Sequence, residues 1–409
     1  MSDAATGKRA LAGRRVLELA DEKGVYCGKL LADMGADVIK IERPGGDATR
    51  DIPPFWGGER HPERGLFFLY TNTSKRGVTL DIRRAEGQGL FRRLAETADL
   101  VLETLPPGFL EDLDLGYRSL RQANPRLVLT SITGFGQTGP YRGFNSSDIV
   151  ASALGGSMVV TGEEEDPPVK LAGSQAHMMA STYAAVSSLI ALHRSSISGE
   201  GQHVDISAEE TTVSVSHICG VGKWLDDGII PRRRGTSLFH SVPSGAYPCT
   251  DGTVYLMINR PLHWQALARW IHQVTGNQEV LDPMFEGPSS ARQPYRELLD
   301  IYISDFTSQF SVDEIYHEGQ RRHIAFTPVH TAAAVARDPH LVARGCFAPV
   351  EHPGVGTLTY PGAAYRHSAT PWRIAHPAPA VGQHNQEIYG GELGIAAREL
   401  RSLTEAGVI

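Results

Sequence analysis

Cysteine is scarce in this sequence: Cys27, Cys219, Cys249 and Cys346 lie far apart, with no C-x-x-C pair among them. That spacing argues against a disulfide framework and against a zinc knuckle. No apolar run reaches the roughly 18 residues of a membrane helix, and the opening MSDAATGKRALAGRR lacks the apolar core of a secretory leader. The expectation is a soluble, cytoplasmic protein. Basic charge is also in deficit, 39 Lys and Arg against 46 Asp and Glu for a net −7, which argues against nucleic acid as a partner. No G-x-S-x-G elbow, H-E-x-x-H or G-K-[ST] occurs, so serine-hydrolase, zincin and P-loop chemistries have no anchor. The 16 histidines show no metal-ligand spacing.

What is present is an ordinary globular composition, 41% hydrophobic and 21% charged over 409 residues. At about 150 residues per domain, that length predicts two or three domains. RRVLEL (14–19), DVIKIE (37–42), GVTLDI (77–82), DLVLET (99–104) and RLVLTSIT (126–133) read as strands. Helical stretches such as GVYCGKLLADMGA and 85–97 separate them. The alternation predicts a Rossmann-like parallel sheet covered on both faces. A long helix is expected from about Gln175 to His193, with apolar residues at Met178, Tyr183, Val186 and Ile190. The turn SGEGQ and a strand, HVDIS (203–207), follow it. From about 220 the texture changes to a basic stretch, two short strands around Asp251-Gly252 and a mostly helical 262–325. This part reads as a second, smaller α/β domain.

Gly134-Phe-Gly136-Gln-Thr-Gly139 fits G-x-G-x-x-G, but Pro140 and Tyr141-Arg142-Gly143 follow where a helix should open. The expectation is a glycine-rich turn and not a dinucleotide site. Against the acidic whole stand local basic spots: Lys75-Arg76, Arg83-Arg84, Arg92-Arg93 and Arg232-Arg233-Arg234. Each is either a solvated face or a contact for a small anion. On residues alone, the sequence describes a two-domain α/β protein with an anionic small-molecule ligand and leaves the reaction open.

Six segments carry a resemblance: LLADMGADVIKIERPGGDATR (30–50), NTSKRGVTLDIRRAEG (72–87), NPRLVLTSITGFGQTGPY (124–141), SGEGQHVDIS (198–207), DPHLVARGCF (338–347) and VGQHNQEIYGGELG (381–394). Together, in this order over nearly the whole chain, they resemble the family III CoA-transferases, the formyl-CoA, carnitine and benzylsuccinate group. The resemblance implies a large Rossmann-like domain of residues 1–220 and 335–409, and a small domain with its linkers over 221–334. It also implies an interlocked dimer, a coenzyme A thioester as substrate, no tightly bound cofactor and no metal. Matched position by position, the CoA contacts fall on Glu22, Lys23, Arg43, Leu80, Asp81, Ile82, Arg83, Thr104, Leu105, Pro106, Asn145, Ser146, Ser147 and Asp148. The phosphates of CoA suit the forked donors of Arg43 and Arg83. An ion pair with Glu42 or Asp47 is the competing expectation for Arg43.

Family transferases use one Asp as nucleophile, followed by a helix and a G-x-G-Q turn. It attacks the donor thioester to give a mixed anhydride, which CoA thiolate reopens as an enzyme thioester. Counted back from Gly199, that position is His177, and no Asp or Glu lies within 171–182 to replace it. An imidazole gives at most a readily hydrolysed acyl-imidazole. The family's racemases need a His before Asp148 and an Asp at 177, where this chain has Ser147 and His177. The E-N-F-x-P-G motif reads Glu103-Thr-Leu-Pro106-Pro-Gly108, without its Asn, and the glycine-rich loop of formyl-CoA transferase is replaced by GTSLFHSVPSG (235–245). Two roles stay open. One is a nucleophile-lacking subunit paired with a homologous chain that carries the Asp, as in the benzylsuccinate type of anaerobic aromatic degradation, moving CoA from a donor such as succinyl-CoA. The other is a homodimeric acyl-CoA-binding protein or enzyme using His177 as a general base.

Overall fold

Six short strands, β1 (Arg15–Leu19), β2 (Asp37–Glu42), β3 (Arg76–Thr79), β4 (Leu100–Glu103), β5 (Val128–Thr133) and β6 (His203–Ser207), form one sheet. Their order is β3-β2-β1-β4-β5-β6 with every neighbouring pair parallel. This is the doubly wound order, with its switch point between β1 and β4. The computed structural model describes residues 9–217, 220–238 and 241–409, so Cys219 and two residues of the 235–245 loop lie outside the described residues.

The pleat sends alternate side chains to opposite faces, and both faces are buried. Leu17, Ile39, Val101 and Leu129 pack into one core with the helix Ala85–Ala95 and the C-terminal helix Ala397–Glu405. Val16, Val38, Leu100, Leu102, Val128 and Ile132 pack into the other with the helices Val25–Asp33 and Gln175–Ser198. The long helix runs a turn beyond the sequence expectation and stops at Gly199, whose φ of +76° closes the C-terminus. Its buried face consists of small residues, including Ala176, Ala180, Ser181, Ala184 and Ser188. The larger apolar residues picked out in the sequence face the other way: Val186 is 55% and Ile190 64% exposed. Small side chains let the helix sit close on the sheet, which leaves the bulky stripe open.

The chain divides into two compact units. One comprises the chain to Ser157, Leu171–Val221 and Val342–Ile409; the other comprises Met158–Lys170 and Gly222–Leu341. The second unit holds an antiparallel sheet of β7 (Ser244–Pro248), β8 (Thr253–Met257) and β9 (Ala325–Pro328). Trp264, Trp270, Phe306 and Phe326 anchor its core. Segment 158–170 belongs here because the Arg233 guanidinium donates to the carbonyls of Glu163 and Glu164. In the first unit, β10 (Phe347–His352) and β11 (Gly356–Pro361) form a hairpin that the Pro- and Gly-rich composition hides from sequence reading. No helix among the described residues is long and apolar enough to cross a membrane.

Toward the carboxyl ends of β1 and β2 the Val16/Val38 face changes from apolar to charged. Glu18, Lys40 and Glu42 are buried there with Lys75 and Arg50. Lys75 Nζ sits 2.8 Å from Glu18 Oε2, Lys40 Nζ 2.6 Å from Asp47 and 3.5 Å from Glu18, and Arg50 forks onto Glu42 at 2.7 and 2.8 Å. Burial pushes the Lys75 ammonium down to about 8, while Asp47, Glu18 and Glu42 hold Lys40 above its ordinary value against the same burial. These pairs tie the loop 43–51 and the segment 72–75 to the strand ends. A Cβ at Gly28 would lie 1.6 Å from Glu18 Oε2. Gly28→Ala is therefore expected to break the Glu18–Lys75 pair and cost about 3 kcal/mol or more, read as a lower urea midpoint with an unchanged slope.

Candidate functional site

In a parallel sheet the loops leaving the strands gather at one edge, and here they enclose a cleft of about 530 Å³. Leu19 to Asp21 run out of β1, Ile41 to Arg43 out of β2 and Thr133-Gly134 out of β5, while Leu80 to Arg83 follow β3 and Thr104 to Pro107 follow β4. Residues 142–146 complete the wall. Of the fourteen residues matched in sequence, Lys23, Arg43, Leu80, Asp81, Ile82, Arg83, Thr104, Leu105, Pro106, Asn145 and Ser146 line this cleft. Glu22, Ser147 and Asp148 are not among the lining residues.

The cleft's acids have partners of their own. Glu42 is held by Arg50, Asp47 by Lys40, Asp21 by Lys23, and Asp81 accepts from the Arg83 backbone N–H at 3.0 Å. The Arg43 guanidinium donates to the Gly46 carbonyl at 3.0 Å and does not pair with Glu42 or Asp47. Arg83 lies over the Phe109 ring at 5.8 Å. Three exposed guanidinium groups, Arg43, Arg83 and Arg142, thus line a cleft whose negative charge is compensated. That arrangement suits a polyanionic ligand. Other basic spots have different fates: Lys75 is in the buried network, Arg76 pairs with Asp37, Glu387 and Glu392, and Arg232 pairs with Glu164. The G-x-G-x-x-G segment is a loop, as expected, fixed by Asp205 accepting from the Gln137 N–H at 2.9 Å.

His177 sits in the first turn of the long helix and is 1% exposed. Its backbone N–H donates to Asp148 Oδ1 at 3.2 Å, so a carboxylate from the neighbouring helix Asp148–Leu154 satisfies one of the helix's open N–H groups. Glu22 Oε1 lies 3.6 Å from His177 Nδ1. Burial raises the Glu22 carboxyl above its usual range, and Asp21 and Asp148 push it the same way against Lys23. The 171–182 window holds no acid, but the fold brings two carboxylates to His177 from distant segments. Sequence reading also missed Glu103, which is buried behind the cleft wall. Its carboxylate accepts from the Leu105 N–H at 2.6 Å and from the Ser131 hydroxyl, and burial pushes it up to about 7. Among the described residues, no group of three or more His, Cys, Asp or Glu side chains is placed to hold a metal ion.

A doubly wound α/β unit with a guanidinium-lined cleft at the strand carboxyl ends defines the class. Within it, residues 11–385 match the model of CoA-transferase family III, and the chain belongs to that family. It is 36% identical over 405 residues to succinyl-CoA–D-citramalate CoA-transferase of Chloroflexus aurantiacus, covering 98% of each chain. It is 34% identical to the succinyl-CoA:(R)-benzylsuccinate CoA-transferase subunit BbsE of Thauera aromatica, covering 97% of each. A solved CAIB/BAIF family protein from Brucella suis superposes with a TM-score of 0.81 at 30% identity, over 93% of this chain and 99% of that one. The chain is thus a family III transferase acting on CoA thioesters and a carboxylic acid. Asp148→Ala removes the acceptor facing the His177 N–H and is expected to cost about 1 kcal/mol. Asp148→Asn, which keeps an acceptor oxygen, should recover most of it in a denaturant titration.

Proposed function

We propose that this chain is the subunit without a nucleophile in a heteromeric CoA-transferase, moving CoA from a donor such as succinyl-CoA to a carboxylic acid such as benzylsuccinate. A homologous partner chain supplies the Asp. The observation that carries this reading is His177: it stands where the family's nucleophile is expected, and it is buried outside the residues that line the cleft. A carboxylate can serve as acyl carrier twice, as anhydride and then as thioester, whereas an imidazole cannot. A buried imidazole held between helix end and carboxylate fills space and keeps the helix start in place.

A partner is also supported by the surface. The helices Asp148–Leu154, Gln175–Ser198 and Ala208–Ser216 pack on one another and leave Ile149, Leu154, Val186, Ile190, Ile197 and Val215 exposed. So much open apolar surface on neighbouring helices fits burial against a second chain, as in the interlocked dimer. In this reading the cleft holds CoA, with Arg43 and Arg83 on its phosphates and Leu80 to Ile82, Thr104 to Pro106, Asn145 and Ser146 along the rest of the ligand. Glu22, Ser147 and Asp148 shape the thioester end around His177.

A second reading, a homodimer using His177 as general base, draws on one observation: Glu22 lies within 3.6 Å of Nδ1, where an orienting carboxylate would stand. One assay separates the two. The chain expressed alone, given succinyl-CoA and candidate acids, should show no CoA transfer, and His177→Asp should yield an enzyme thioester detectable by mass spectrometry. Transfer by the chain alone that His177→Ala abolishes would establish the second reading instead. For the cleft, Arg43→Ala is expected to weaken CoA binding about tenfold, the loss of one charge-assisted contact, measured by calorimetry.

A further inference from the structure

The acid behind the cleft wall has a use that CoA transfer itself does not require. Glu103 ends β4, Ser131 faces it from the paired position on β5, and His203 opens β6. The Glu103 carboxylate accepts from the Leu105 N–H at 2.6 Å and from the Ser131 hydroxyl, and Ser131 Oγ is 2.9 Å from His203 Nε2. The result is a hydrogen-bonded row of side chains across three neighbouring strands. Its inner end is buried, with Glu103 4% exposed, and its outer end is the exposed residue His203, whose ring stacks on Tyr117. The bond to Leu105 fixes the backbone of the loop leaving β4. In the same loop the Thr104 hydroxyl accepts from the Asp21 N–H at 2.9 Å, tying it to the loop leaving β1. Thr104, Leu105 and Pro106 are all cleft wall.

We propose that Glu103 is a positioning residue for the CoA cleft, its charge set from the surface through Ser131 and His203, so that ionised Glu103 holds the wall in its binding shape. The inference rests on the reading of this cleft as the CoA site. A charged acceptor binds the Leu105 N–H more strongly than a neutral one. Protonation proceeds without any further reactant. The imidazole takes a proton from hydronium on Nδ1, releasing water, and passes its Nε2 proton to Ser131 Oγ, and Ser131 gives its own to Glu103. The imidazole ends neutral in its other tautomer, with one proton gained on the carboxyl.

The charged groups around the chain are few. Glu103 faces Lys23 from the loop after β1, which favours its ionised form, and Glu111 from the helix Phe109–Asp112, which disfavours it. His203 faces Asp205 on its own strand and Glu111 again, and partial burial of its ring lowers its pKa despite both. Burial is the largest influence on Glu103 and places its titration at about 7, within reach of ordinary pH changes.

The experiment measures CoA affinity of the full chain by calorimetry across pH 6 to 9, for wild type, Glu103→Gln and His203→Phe. Wild-type affinity is expected to weaken by roughly three- to tenfold on acidification through pH 7, the size of one hydrogen bond's strengthening. Glu103→Gln keeps an acceptor for Leu105 but cannot titrate, so its profile should be flatter; the difference between the two removes the titration of CoA's own phosphates. His203→Phe keeps the stacked ring but withdraws the outer hydrogen bond, and should move the midpoint upward. Coincident wild-type and Glu103→Gln profiles overturn the inference. No CoA binding by wild type at any pH would instead overturn the reading of the cleft, and the inference with it. An independent readout is stability. With the folded-state pKa above the unfolded value of about 4.5, the native state holds the extra proton between the two. Wild-type stability relative to Glu103→Gln should therefore fall as pH rises from about 5 to 8, and an unchanged difference would also count against it.

Discussion

The buried charges at the ends of β1 and β2 are what the rest of the first unit leans on. Two lysines and an arginine without contact to water are tolerable only because each meets a carboxylate at bonding distance. Those carboxylates and cations come from different loops: Asp47 and Arg50 from the loop after β2, Lys75 from the run into β3. Removing one partner would leave an uncompensated charge in the interior, so the loop geometry is over-determined. That rigidity sets where Arg43 stands, because the loop that carries it is held on both sides, by Lys40–Asp47 and by Glu42–Arg50.

The same economy organises the cleft. Acids that line it are neutralised by side chains behind or beside the wall, and the guanidinium groups of Arg43, Arg83 and Arg142 are left toward the ligand space. Net charge over the whole chain is negative, yet the local field in the cleft favours an anion. In the proposed reading, this is how an acidic protein binds a molecule as highly charged as CoA. Behind the wall, Glu103 occupies an intermediate state, neither paired with a cation nor exposed, and its charge is correspondingly easy to change.

Much of the first unit was legible because its signals are local. Strand-like runs bounded by glycine and proline gave β1, β2, β4, β5 and β6 nearly to the residue, and parallel strands buried on both faces are continuously apolar. β3 came out shorter, because residues after Thr79 already turn into the cleft wall. The long helix was found, but its orientation was not. Val186 and Ile190 stand out in the sequence as apolar residues of this helix, but close approach to the sheet selected alanine and serine for the buried side. The hairpin at 347–361 escaped because turn-forming residues dominate its composition. Most residues matched to CoA contacts do line one cleft, since they follow successive strands of the sheet.

The sequence by itself determined the fold class, the family and the substitution at position 177, all of which depend on residue identity and order along the chain. Tertiary structure alone decided which charges meet. The window 171–182 around His177 contains no acid, yet Glu22 and Asp148 reach it from segments far apart in sequence. Lys75 and Arg83 look alike in a charge count, but one closes a buried ion pair and the other lines the cleft. Whether a charged side chain is a structural strut, a ligand contact or a titrating switch depends on burial and on partners brought together by folding, and neither is written in local sequence.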